Sequence, residues 1–175
     1  MFRTILTTAA ATMLLGAPAW AEGHMASPAA TATLKTADGA EVGSVQIFQT
    51  QDGVLIRLDG KDMPEGWHGF HLHQTGACEG PDFTSAGDHY APNGHSHGLM
   101  AEGGPHAGDL PNVHVASDGS VMADVTSTVL SIEGGEAPIM DDDGSAFIIH
   151  ENADSYAAHA GAGGRIACGV VEAAG

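Results

Sequence analysis

The sequence predicts an all-β domain: an antiparallel sandwich or flattened barrel of eight short strands, with two long functional loops. Three observations carry that expectation. Apolar and polar residues alternate over eight short runs, the period of a half-buried strand. Asp-Gly pairs and many of the 25 glycines fall between the runs, where turns are needed. No stretch carries a convincing helical period.

Taken in order, the chain begins with Arg3, an apolar run from Ile5 to Leu15 and Ala19-Trp20-Ala21. This reads as a secretory signal over residues 1–21, cut after Ala21, and the apolar run is too short to span a bilayer. Residues 22–30 read as a flexible lead containing His24 and Met25, and residues 31–175 as a single domain. Strands are expected at Thr31 to Thr36, Val42 to Gln49 and Val54 to Asp59, with Asp38-Gly39 and Asp52-Gly53 marking hairpins between them. Further strands are expected at Gly66 to His73, Asn112 to Ser117, Ser120 to Thr126, Ala146 to Glu151 and Arg165 to Val171. Two segments, Gln74 to Pro111 and Asn152 to Gly164, break the rhythm, and structureless connections of that length are usually functional or disordered.

The formal net charge is −17, and losing Arg3 with the signal brings it to −18. Such a chain does not suit nucleic acid or anionic lipid, so no nucleic-acid partner and no membrane partner after cleavage are expected. The 154 residues left when 21 are removed from 175 can bury one sizeable core. Cys78 and Cys168 are the two cysteines. In an oxidising compartment a disulfide between them is the default, with a pair of free buried thiols as the alternative.

The chemistry starts at Gly69-Phe70-His71-Leu72-His73. In a strand, His71 and His73 share a face with Cα atoms roughly 7 Å apart, while Phe70 and Leu72 point into a core. Downstream stand His89, His97, His106 and Asp109, and later His150 within Phe147-Ile148-Ile149-His150. Imidazoles with one carboxylate suit zinc and copper(II), whereas calcium and magnesium want oxygen. Alternation gives Ile148 and His150 one face and leaves Phe147 and Ile149 to the barrel. In the last strand, Ile166, Cys168 and Val170 are expected inward, sending Arg165 out toward the histidines.

The ligand order and spacing, with eight positions from His89 to His97 and nine from His97 to His106, resemble the copper/zinc superoxide dismutase family of exported bacterial type. The resemblance spans about residues 30 to 171. It implies a Greek-key barrel, superoxide as substrate, copper and zinc as cofactors, and a periplasmic location. By the same resemblance, copper is held by His71, His73, His89 and His150, and zinc by His89, His97, His106 and Asp109, with His89 shared. Arg165 then guides the anion, His89 carries a proton, and Asp154 hydrogen-bonds His71 and His97 from behind. His24, His68, His95, His114 and His159 match no ligand position and read as structural or surface residues. A module that stores or delivers the metals would use the same ligands, but has no use for Arg165. One departure from the family is electrostatic, because residues 151–164 contain no lysine. Monomer and homodimer both remain open.

Overall fold

The computed structural model describes residues 27–175. The signal expected over 1–21, with His24 and Met25 of the expected lead, lies outside the described residues. The strands are β1 (Ala30–Lys35), β2 (Glu41–Thr50), β3 (Gly53–Gly60), β4 (Gly66–His68), β5 (Phe70–His73), β6 (Val113–Val115), β7 (Val121–Ser127), β8 (Leu130–Ser131), β9 (Ala137–Pro138), β10 (Ala146–His150) and β11 (Arg165–Ala173). The expected hairpins form. Asp38-Gly39 turns β1 into β2, with Gly39 at φ 85°, and Thr50 pairs with Gly53 across the two-residue link from β2 to β3.

A seven-stranded sheet runs in the order β5-β10-β11-β1-β2-β3-β7, and β4 pairs separately with β6. β3 therefore lies beside β7 rather than β4, and β5 beside β10, which is the Greek-key interchange. The curled sheet closes through the pair β4-β6 and the turn from β6 to β7, where Ala116 and Ser120 share a backbone hydrogen bond of 2.9 Å. With β4 and β5 taken as one bent strand and the short parallel pair β8-β9 set aside, the expected eight antiparallel strands are present.

Three local readings need correction. The run Gly66 to His73 is not continuous, because its two halves, on either side of Gly69, pair with different partners. The short parallel pair β8-β9 had no alternating pattern to announce it, and Thr84–Ala86 form a single 3-10 turn within the first long loop. In β11, Ala167 and Val171 face the barrel core, whereas Cys168 faces outward beside Ile148, its partner across the strands. A register shift between Ile149 and His150, opposite the start of β11, keeps Arg165 beside His150.

The barrel interior is apolar on the pattern expected of β5 and β10. Phe70, Leu72, Phe147 and Ile149 are fully buried, and Phe70 stacks on Phe147 with ring centroids 5.3 Å apart. A smaller cluster of Phe83, Ala86, Ala146, Ile148 and Cys168 lies on the outer face of β10 and β11. It anchors the first long loop to the barrel beside a disulfide between Cys78 and Cys168, which are 90 residues apart in the chain. Among the described residues, no helix is long and apolar enough to cross a membrane.

Candidate metal centre

Strand alternation puts Phe70 and Leu72 in the core and leaves His71 and His73 on the other face of β5, both essentially inaccessible. The first long loop then returns to the free edge of β5. Leu72 N–H donates to Gly108 O (2.9 Å), Tyr90 N–H to Leu72 O (2.9 Å) and Gln74 N–H to Asp88 O (3.0 Å). These bonds pair His73 with His89 and His71 with Asp109. A Cβ on residue 108 would lie 2.2 Å from Leu72 O, so only glycine allows this approach. His150 arrives from the opposite edge of β5, at the end of β10.

Two groups result. The potential ligand atoms of His71, His73, His89 and His150 lie within 4.8 Å of one another, and so do those of His89, His97, His106 and Asp109. His89 belongs to both. Its ring centroid lies 4.1 Å from that of His71 on one side and 5.0 Å from that of His97 on the other.

The hydrogen bonds fix which nitrogen His71 and His73 can offer, because carboxylates and carbonyls only accept. His71 Nε2–H donates to Asp154 Oδ2 (2.8 Å) and His73 Nδ1–H to Gly87 O (2.9 Å). The nitrogens left over, His71 Nδ1 and His73 Nε2, are buried without a partner, as are both nitrogens of His150. In the second group, His89 Nδ1 and His97 Nδ1 approach Asp109 Oδ1 at 2.7 and 3.0 Å. His106 Nδ1 lies 3.3 Å from the same oxygen but outside hydrogen-bond geometry. Asp109 Oδ2 is held by the backbone N–H groups of Gly98 (2.8 Å) and His106 (3.1 Å).

The electrostatics follow from burial. Burial and, after it, the neighbouring His89 push His71 far below the ordinary imidazole value and take His150 down to about 4. Burial also lowers His73 to about 2, with the bond to Gly87 only partly opposing it, and lowers His106. For Asp109 burial acts upward, but the hydrogen bonds from His89 and the Gly98 N–H outweigh it and leave the carboxyl well below its usual range. Burial thus favours the neutral form of His71, His73, His106 and His150 beside an ionised Asp109, the protonation state that metal ligands need.

Asp154 comes from the second long loop and lies behind both groups. Its carboxylate accepts from His71 Nε2, lies 3.1 Å from His97 Nε2, and accepts the Tyr156 N–H at 2.7 Å. Arg165 donates from one terminal nitrogen to Phe83 O (2.6 Å) and from the other to Gly87 O (2.7 Å), so its hydrogen bonds fix it to backbone rather than to carboxylates. Gly87 O serves Arg165 and His73 together.

Two positioning residues were not visible in the sequence. Asn112 clamps Asp154 from both sides: its Oδ1 accepts the Asp154 N–H (2.8 Å) and its Nδ2–H donates to Asp154 O (2.9 Å). His68 is buried and contacts His150 O (2.7 Å) and Pro64 O (2.9 Å), tying β4 to the end of β10. Neither sits in a motif; only the spatial neighbourhood reveals them. Of the other histidines set aside, His95 lies 3.2 Å from Pro105 O, His114 packs edge-on against Trp67, and His159 lines the opening beside His89 and His106.

A family model described as copper/zinc superoxide dismutase (SODC) matches residues 41–171. A Cu-Zn superoxide dismutase of Caulobacter vibrioides is 39% identical over 148 residues, covering 82% of this chain and 85% of the relative. One from Aquifex aeolicus is 38% identical over 138 residues, covering 77% of this chain and 82% of the relative. Among solved structures, a superoxide dismutase-like protein from Bacillus subtilis matches with a TM-score of 0.77 at 38% identity, covering 80% of this chain and 96% of that one. The Cu/Zn superoxide dismutase of Brucella abortus matches with a TM-score of 0.65 at 28% identity, over 81% and 98% of the two chains.

Proposed function

The chain belongs to the copper/zinc superoxide dismutase family, and on that premise we propose that it converts two superoxide anions and two protons into dioxygen and hydrogen peroxide. We assign copper to His71, His73, His89 and His150, and zinc to His89, His97, His106 and Asp109. The observation that carries the assignment is the set of unpartnered nitrogens on His71, His73 and His150, buried together next to His89. An orphaned buried nitrogen is costly, and several of them gathered at one point are explained by an ion they would share.

A copper ion in the first group would supply the one-electron couple that superoxide needs as both reductant and oxidant, and a zinc ion in the second an inert positive charge. The rest is the work of the chain. His71, His73 and His150 are held by β5 and β10, so their rings stay fixed through a turnover. His89 has Nδ1 on the Asp109 side, which leaves Nε2 toward the first group as the atom that can hold a proton and give it to the second superoxide. Asp154 fixes the tautomers of His71 and His97 and raises their basicity. Arg165, kept rigid by two carbonyls, presents a permanent charge for the anion beside His73.

The Ala-x-Ala sequence further supports export, with cleavage after Ala21 and a periplasmic mature protein whose domain covers residues 31–175. The test of the whole reading is metal loading of the mature protein, followed by metal analysis, spin-resonance spectroscopy of the copper and a superoxide-consumption assay. The expected result is one copper and one zinc per chain with rapid consumption, slowed in Arg165→Ala at unchanged metal content. Equal and negligible rates in both proteins would instead mark a storage module.

A further inference from the structure

The second long loop carries one residue in a conformation that its side chain disfavours: Tyr156, at φ 63°. A bulky residue is held in the left-handed region only where its surroundings impose it, and such positions gather at functional sites. We propose that Tyr156 is a positioning residue that sets Asp154 against His97 and thereby governs how firmly the second group of ligands keeps its zinc. This rests on the assignment of zinc to His89, His97, His106 and Asp109.

Three hydrogen bonds converge on Tyr156. Its N–H donates to Asp154 Oδ1 at 2.7 Å, gripping the oxygen that lies 3.3 Å from His97 Nε2. Its hydroxyl oxygen accepts the Asn112 N–H at 2.7 Å, and Asn112 in turn holds the Asp154 backbone through both ends of its side-chain amide. Tyr156, Asn112 and Asp154 thus close a ring in which each fixes the next. The third bond crosses to the first long loop, where Met100 N–H donates to Tyr156 O at 2.9 Å. That crossing is tight, because a Cβ on residue 98 would lie 2.6 Å from both Tyr156 O and Ala157 O. The N–H of the same Gly98 holds Asp109 Oδ2.

The zinc side depends on this ring more than the copper side does. Asp154 Oδ2 meets His71 Nε2 at 2.8 Å but His97 Nε2 at 3.1 Å, so a small turn of the carboxylate loses the longer contact first. His71 is also fully buried in β5, whereas the His97 side chain is 12% exposed. With His89 and His106, His97 borders an opening of about 630 Å³, whose other wall is residues 158–161, just beyond Tyr156. Loosening Tyr156 therefore frees the wall over the zinc ligands while β5 still holds His71 and His73.

The test uses the exported, processed protein loaded with copper and zinc. Transfer of zinc to an excess of a chromogenic chelator is timed for the wild type, Tyr156→Phe, Asp154→Ala and the double variant. Tyr156→Phe keeps the ring and the backbone contacts and removes only the bond to Asn112. The expected result is zinc release roughly 3- to 10-fold faster than wild type, the scale of one hydrogen bond. In the Asp154→Ala background the same substitution adds no further acceleration, because its effect passes through that carboxylate. Wild-type release from Tyr156→Phe overturns the proposal. So does an equal acceleration in both backgrounds, which would mark a general loosening of the loop. Wild-type protein that takes up no zinc overturns the metal assignment itself, an outcome distinct from loaded proteins that release zinc alike.

Discussion

At the scale of single residues, His71 and His73 are each given a hydrogen-bond partner on one ring nitrogen and denied one on the other. His71 illustrates this, with Nε2 committed to Asp154 and Nδ1 buried and vacant. Asp154→Ala removes the hydrogen bond behind His71 and the carboxylate behind His97; loss of such a partner typically weakens metal binding about 10- to 100-fold. Competition with a chelator, monitored for zinc release, measures that drop. Arg165→Ala removes a charge-assisted contact worth about 1.5–3 kcal/mol, which corresponds to roughly a 10- to 100-fold slower reaction with superoxide. The expected loss appears in the rate at unchanged metal content.

At the scale of elements, the question is what holds a loop of nearly forty residues against β5, given that it contains only one short 3-10 turn. The answer has three parts: the backbone ladder to Leu72 and Gln74, the apolar cluster around Phe83, and the disulfide. Gly108→Ala drives a methyl group into Leu72 O and should cost about 1–3 kcal/mol, with zinc affinity falling as Asp109 is displaced. Urea denaturation of the metal-free variant measures the loss. Replacing Cys78 and Cys168 together by serine releases a constraint spanning 90 residues, for which chain entropy gives about 4–5 kcal/mol. The expected outcome is a matching fall in the denaturation midpoint, with the barrel strands persisting longer than the loop in hydrogen exchange.

At the scale of the whole molecule, two electrostatic consequences follow. The first concerns pH and the metal-free protein. An unfolded histidine takes up a proton near pH 6.5, but His150 in the folded state resists it until about 4 and His73 until about 2. The unfolded chain therefore binds more protons in this window, and stability falls as the pH drops from about 6.5 through 4. Thermal unfolding of the metal-free protein across that range checks the sign; a midpoint that held constant or rose would contradict it. The second concerns the substrate. A net charge of −17 repels superoxide at long range, and Lys61, which follows β3 three strands away from β11, lies roughly 14 Å or more across the sheet from the strand of Arg165. Dismutation should accordingly show little decline with ionic strength, and a steep fall with added salt would reveal strong attraction instead.

The sequence by itself determined the strand periods, the Asp-Gly hairpins and the residues that can ligate a metal, because alternation and donor chemistry are local properties. It also placed Phe70, Leu72, Phe147 and Ile149 in the core, since β5, and β10 as far as Ile149, keep a two-residue period. It misjudged the faces of β11, where Ile166, Ala167 and Cys168 are all apolar enough for either side and only the pairing of Cys168 with Ile148 decides. The tertiary structure alone decided which nitrogen of His71 and of His73 is free, that Asn112 and His68 brace Asp154 and His150, and that Gly87 O serves Arg165 and His73 at once. Those facts depend on contacts between segments tens of residues apart, and no local pattern records a distance across a folded chain.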